Sequence, residues 1–131
     1  MKFKNFEIYA IANGLLSAFG EAESTQKLPI KLSFTIKKNT AKFQSIAEQI
    51  EKSRVELIQK YGEQTEEGGF KIKSENEAEA NKEFTELMNL EDNIDVHKID
   101  INSLPDDIEL TNAQMDAIMF MIEDGEKKEE E

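Results

Sequence analysis

The stretch LPIKLSFTIKKNTAKFQSIAEQIEKSRVELIQKYG, residues 28–62, decides the fold. Pro29 suits the first turn of a helix, where its missing N–H has no helical partner, and Gly62 is a natural stop. At about 100° per residue, Leu32, Ile36, Phe43, Ile46, Ala47, Ile50, Leu57, Ile58 and Tyr61 fall within roughly 120° and hold that arc for about eight turns. Ile36, Phe43, Ile50 and Leu57 also recur every seven residues, the spacing of a helical seam. Thr40 and Arg54 interrupt the alternate seam positions, so packing against mixed neighbours is expected in place of a long zipper. Leu32–Ile36 alternates as a strand would, which leaves the start of the helix open.

Working outward towards residue 1, Met1–Lys4 reads as a short strand or lead-in. A helix follows, with Asn5 as its cap because an asparagine oxygen can accept an unpaired helical N–H. Phe6, Ile8, Tyr9, Ile11, Leu15, Leu16 and Phe19 make a broad apolar arc, so this helix is expected to be well buried. Gly20 stops it, and residues 21–27 form a polar linker.

On the other side, Gly68-Gly69 marks a turn and Phe70–Lys73 alternates as a short strand. Ser74 with Glu77 has the spacing of a capping box and opens a helix through Ala80, Phe84, Leu87 and Met88. Asn93–Asn102 reads as a second strand whose apolar parity changes, which a bulge at His97-Lys98 would reconcile. The two strands are expected to pair. Thr111 and Gln114 form another capping box, with Leu110 and Met115 as a hydrophobic staple. Met115, Ile118, Met119 and Ile122 would face inward. The fold class expected is α+β: a long central helix packed with N- and C-terminal helices beside a small antiparallel sheet. Residues 1–123 would form one domain and 124–131 an acidic disordered tail.

The length, 131 residues, suits one domain with a modest core. Cysteine is absent, which excludes disulfides and thiolate metal sites. No stretch approaches the roughly 20 apolar residues of a membrane helix, and MKFKNFEIYA lacks the pattern of a secretory signal. The net charge of −12 is unevenly placed: residues 1–62 hold 10 basic and 6 acidic side chains, net +4, and residues 63–131 hold 6 and 22, net −16. Direct duplex nucleic-acid binding, which needs clustered basic charge, is not expected. The acidic half either keeps the protein soluble or attracts a basic surface, such as the nucleic-acid channel of another protein.

Catalytic patterns are missing. His97 has no nucleophile in a recognisable motif. Glu91, Asp92 and Asp95 lack the glycine and terminal glutamate of a calcium loop, and Gly68-Gly69 lacks the context of a phosphate loop. No enzyme activity, metal or cofactor is therefore expected. The partner-binding candidates are the carboxylates Glu66, Glu67, Glu75, Glu77, Glu79, Glu83, Asp92 and Asp95, and the apolar Met119, Phe120 and Met121, since adaptable methionines often line protein interfaces. No acidic residue occurs between Ser24 and Ala47. There Lys31, Lys38 and Lys42 form a basic patch within roughly 40°, expected to face the acidic half of this chain or of a second copy, with phosphate binding as the alternative.

The Lys27-Leu28-Pro29-Ile30-Lys31 opening and the run Arg54…Leu57-Ile58-Gln59-Lys60-Tyr61-Gly62-Glu63 resemble an uncharacterised family of small acidic proteins from phages and prophages of Gram-positive bacteria. Asn81-Lys82-Glu83-Phe84…Leu87-Met88-Asn89 and Ile108-Glu109-Leu110-Thr111 extend the resemblance over most of residues 4–123. Gly14–Glu23 and the tail match least. These are structural signatures, so no functional residue carries over. The resemblance implies a phage origin and a place in the cytoplasm of the bacterial host. The function expected is that of a non-enzymatic accessory protein that binds another protein. Such a protein would inhibit a host defence or nucleic-acid-handling protein, in the manner of anti-CRISPR or other anti-defence proteins. The alternative is a virion structural or assembly component, tail-associated and self-associating as a homo-oligomer.

Overall fold

The computed structural model describes residues 1–20 and 27–123. The predicted tail and all but the last residue of the predicted linker lie outside them. The fold is α+β and is organised by one long helix. Strand β1 (Lys2–Lys4) leads into α1 (Asn5–Phe19), and α2 (Ile30–Tyr61) follows. At about 1.5 Å per residue its 32 residues span about 48 Å. Next come β2 (Gly62–Gln64), β3 (Phe70–Ile72), α3 (Glu77–Asn89), β4 (Glu91–Asn93), β5 (Ile99–Asp100), α4 (Asn112–Ile118) and β6 (Ile122–Glu123). Pro29 precedes the first helical residue of α2 and Gly62 follows its last, so Leu32–Ile36 is helix and not strand, and the stop falls where the sequence placed it.

The core has two parts. One gathers Phe3, Ile8, Ala12, Phe43, Ile50 and Ile94, with the Phe43 ring edge-on to Phe3 and to Phe120, each at 5.3 Å between centroids. The other gathers Leu15, Leu32, Ile36, Ile99, Ile118 and Met121. Ile11, Val96 and Phe120 pack against both. α2 therefore runs past α1, α4 and the 94–99 segment with one continuous face.

The strand pairing differs from the expectation. Three separate two-stranded ladders form: β1 with β4 and β2 with β3, both antiparallel, and β5 with β6, parallel. The strand at 70–72 pairs with 62–64, directly off the end of α2, and not with the 93–102 segment. That segment is no bulged strand. It breaks at residues 94–98, and its two ends join different ladders. The parity change marks the break, with Ile94 and Ile99 buried on either side.

Polar side chains stitch these irregular segments in place. Asn5 is the first residue of α1, not its cap. It is buried, and its Nδ2 donates to the Leu87 carbonyl at 2.8 Å. The helix start is satisfied by Glu7, whose Oε1 accepts from the Lys4 N–H. Asn39, fully buried within α2, donates from Nδ2 to the His97 carbonyl at 2.7 Å and accepts the His97 N–H at 2.9 Å. One amide thus replaces a strand partner for the 94–98 segment. Ser74 caps nothing: it opens a 3₁₀ turn (Ser74–Asn76), and α3 begins three residues later. The Thr111–Gln114 capping box forms as expected, at 3.0 and 3.1 Å, and Gln114 also donates to the Ala18 carbonyl. α1 is less buried than its sequence implied, since Phe6 and Leu16 face outward.

Candidate functional site

The feature with the shape of a binding site is a groove of about 430 Å³ between the C-terminal half of α2 and α3. Leu57, Leu87 and Leu90 form its apolar part, and Glu56, Glu83, Glu86 and Lys60 its charged rim. Three carboxylates against one ammonium leave the rim net acidic. The ammonium is already engaged, with Lys60 Nζ at 3.1 and 3.3 Å from the two Glu83 oxygens and 5.0 Å from the Tyr61 ring centroid. Hydrogen bonds from Tyr61, first, and from Lys60 hold the Glu83 carboxyl below the usual glutamate range. Glu83 in turn raises the Tyr61 hydroxyl and the Lys60 ammonium. Lys60 is exposed and Glu83 and Tyr61 are only half-buried, so solvent screens this cluster and its role is to fix the rim's geometry more than to add stability.

The groove exists because α3 is short and amphipathic along one edge. Its residues Glu79, Glu83 and Glu86 recur at spacings of four and three, one helical ridge. Leu87 lies beside that ridge, facing α2, and none of the α3 side chains is fully buried. Leu90, just past the helix end, is exposed. The arrangement can hold a segment that presents apolar side chains flanked by basic ones. Among the described residues, no group of His, Asp or Glu side chains converges as a metal site would require. Among the described residues no helix is long and apolar enough to cross a membrane.

The acidic candidates divide. Glu83 lines the groove and Glu79 lies along the same ridge. Glu66 and Glu67 sit in the turn joining β2 to β3, Glu75 in the 3₁₀ turn, and Glu77 at the start of α3. Asp92 is on β4, opposite Phe3. Asp95 acts through its backbone, its carbonyl accepting from Lys42 Nζ at 2.6 Å. Glu56 and Glu86 were missed as site residues. Their signal was available only once α3 could be placed beside α2.

The apolar candidates also divide. Met119 is 59% exposed, Phe120 is half-buried against Phe43, and Met121 is fully buried beside Asn39. Met121 therefore belongs to the core and offers nothing to a partner. The expected inner face of α4 shifts because the helix ends at Ile118 and continues as a 3₁₀ turn (Met119–Met121). A three-residue period carries Met121 inward behind Ile118 and turns Met119 out. Met119 and Phe120 line a second groove, of about 670 Å³, against Ala10, Gly14 and Ala18 of α1.

The three lysines of the expected basic patch differ in their surroundings. Lys31 and Lys38 are exposed, while Lys42 is tied to Asp95. No family model matches the chain, and neither the curated proteins nor the solved structures compared with it yield a match.

Proposed function

We propose that this chain is a non-enzymatic phage accessory protein of the bacterial host cytoplasm that acts by binding another protein. Its target is a basic, nucleic-acid-handling host protein of the defence type. The acid-rimmed apolar groove between α2 and α3 carries this reading. Its leucine floor supplies contact area, and Glu56, Glu83 and Glu86 select a partner with Lys or Arg around an apolar anchor. A protein built to intercept nucleic-acid machinery gains from presenting carboxylates where a phosphate backbone would otherwise lie.

Tagged protein recovered from infected cells tests it. A basic nucleic-acid-handling protein should co-elute near one-to-one. It should be lost from the Glu56→Lys/Glu86→Lys variant, and its recovery should fall between low and moderate salt, since exposed charges are screened over about 10 Å at 0.1 M. Recovery of virion tail or head proteins instead would shift the reading to an assembly component. The outward-facing Met119 and the small-residue groove beside it favour that second reading.

A further inference from the structure

The first turns of α2 present the most exposed large apolar side chains among the described residues: Ile30 is 83% and Phe34 61% accessible. At about 100° per residue Ile30, Phe34 and Ala41 lie within roughly 40° of one another, nearly opposite the Leu32, Ile36, Phe43 and Ile50 stripe. This face has therefore no role in the chain's own core. Lys37 borders it on one side and Lys31 and Lys38 on the other, with Lys38 Nζ 5.4 Å from the Phe34 ring centroid. The first turn of α2 carries no acidic side chain to offset the positive end of the helix. The result is an apolar tip in a lysine collar on a chain whose net charge is −12.

The α2–α3 groove is the complement of that tip. It offers Leu57, Leu87 and Leu90 inside a rim of Glu56, Glu83 and Glu86. Both surfaces stand on the same rigid helix, with Phe34 and Leu57 about 35 Å apart along it, so one chain cannot close its own tip onto its own groove. We propose that the occupant of the groove is the Ile30/Phe34 tip of a second copy of this chain. The contact is head-to-tail, which leaves one tip and one groove open at the ends of any pair, so it propagates into a ring or a filament. The inference rests on the groove being a docking surface for a basic, apolar-tipped segment, as proposed above. It adds that the chain supplies such a segment itself, which a host partner must displace.

Sedimentation velocity of the full chain decides it. At 50 mM NaCl the mean mass should rise with concentration through dimer and beyond, and at 500 mM NaCl it should fall back to monomer. Lys37→Glu/Lys38→Glu and Glu56→Lys/Glu86→Lys should each remain monomeric at every concentration. Mixing the two variants should restore association, because the reversed tip and reversed groove again match. Circular dichroism melts identical to the parent would show that both variants are folded, as expected for exposed positions. A monomeric parent at all concentrations, or association untouched by either reversal, would overturn the proposal. So would a parent monomer whose Lys37 and Lys38 instead bind a single-stranded oligonucleotide or an anionic phosphatidylserine vesicle. Titration of Lys37→Glu/Lys38→Glu with a synthetic Lys/Leu amphipathic peptide reads the groove alone. Binding there without self-association in the parent sinks this inference and spares the groove, whereas no binding sinks the docking function itself.

Discussion

The two halves of α2 carry the same kind of apolar stripe and meet different fates. In the first half Leu32, Ser33, Thr35, Ile36, Asn39 and Phe43 are buried; in the second only Ile50 is. Leu57, Ile58 and Tyr61 continue the stripe but are only half-buried. Periodicity reports which face of a helix is apolar, and the neighbours determine whether that face is closed. The first half meets α1, α4 and the 94–99 segment, whereas the second keeps α1 only as far as Ile50 and Glu51 and then meets the thin, carboxylate-edged α3 and the short β2–β3 ladder. What is left open there is the groove.

Truncations measure that contrast. Phe43→Ala should destabilise by about 3–5 kcal/mol in urea unfolding, because the ring joins Phe3 and Phe120 in a closed core. A loss under about 1 kcal/mol would mean that the first half is no better packed than the second. Asn39→Leu keeps the volume but strands the His97 N–H and carbonyl. It should cost about 2–4 kcal/mol and speed hydrogen exchange at the His97 amide; unchanged exchange would show that the amide clamp does not hold that segment. Gly62→Ala tests the end of the second half. A Cβ there would lie 2.5 Å from the Ile58 carbonyl oxygen and 2.9 Å from that of Lys71. The expected loss is about 1–3 kcal/mol, with the β2–β3 ladder detaching first in exchange experiments. Leu57→Ala should cost only about 1 kcal/mol while weakening partner binding, and a loss matching Phe43→Ala would erase the contrast.

The smallest effect is expected from pH. The Glu83 carboxyl is lowered by Tyr61 and Lys60, so its contribution is present above the unfolded glutamate value and fades as pH falls through the lower folded value. Tyr61 and Lys60 are raised, so theirs is present below their unfolded values and fades as pH rises through the folded ones. A shallow stability plateau between the two limits should flatten further in Glu83→Gln, read from melting temperature against pH.

Features with a local cause were legible in the sequence. Pro29 and Gly62 bound α2, Thr111 and Gln114 cap α4, and Gly68 takes the positive φ of 89° that its turn requires. The ladders were not legible, because strands of two or three residues are too short to alternate and their partners lie far along the chain. Asn5 read as a cap and Asn39 drew no reading at all, whereas both bond backbone more than fifty residues away. Part of the site was legible as charge. Its location was not, since Glu56 and Glu86 become neighbours only through the packing of α3 on α2.

The β1–β4 ladder has a consequence for how the chain comes together in time. Phe3 sits opposite Asp92, and the core that contains Phe3 also contains Ile94. During synthesis α1 and α2 can meet once their residues have emerged, but Phe43 stays open on one side until the segment 91–94 arrives. Closing so long a loop is slow. Capture of the 91–99 segment by β1 and Asn39 should therefore come late. Only the α4–β6 segment should follow it, whose Phe120 closes the other edge of Phe43 and whose Ile122 pairs with Ile99. A chain paused before that point would display an unfinished aromatic core to chaperones.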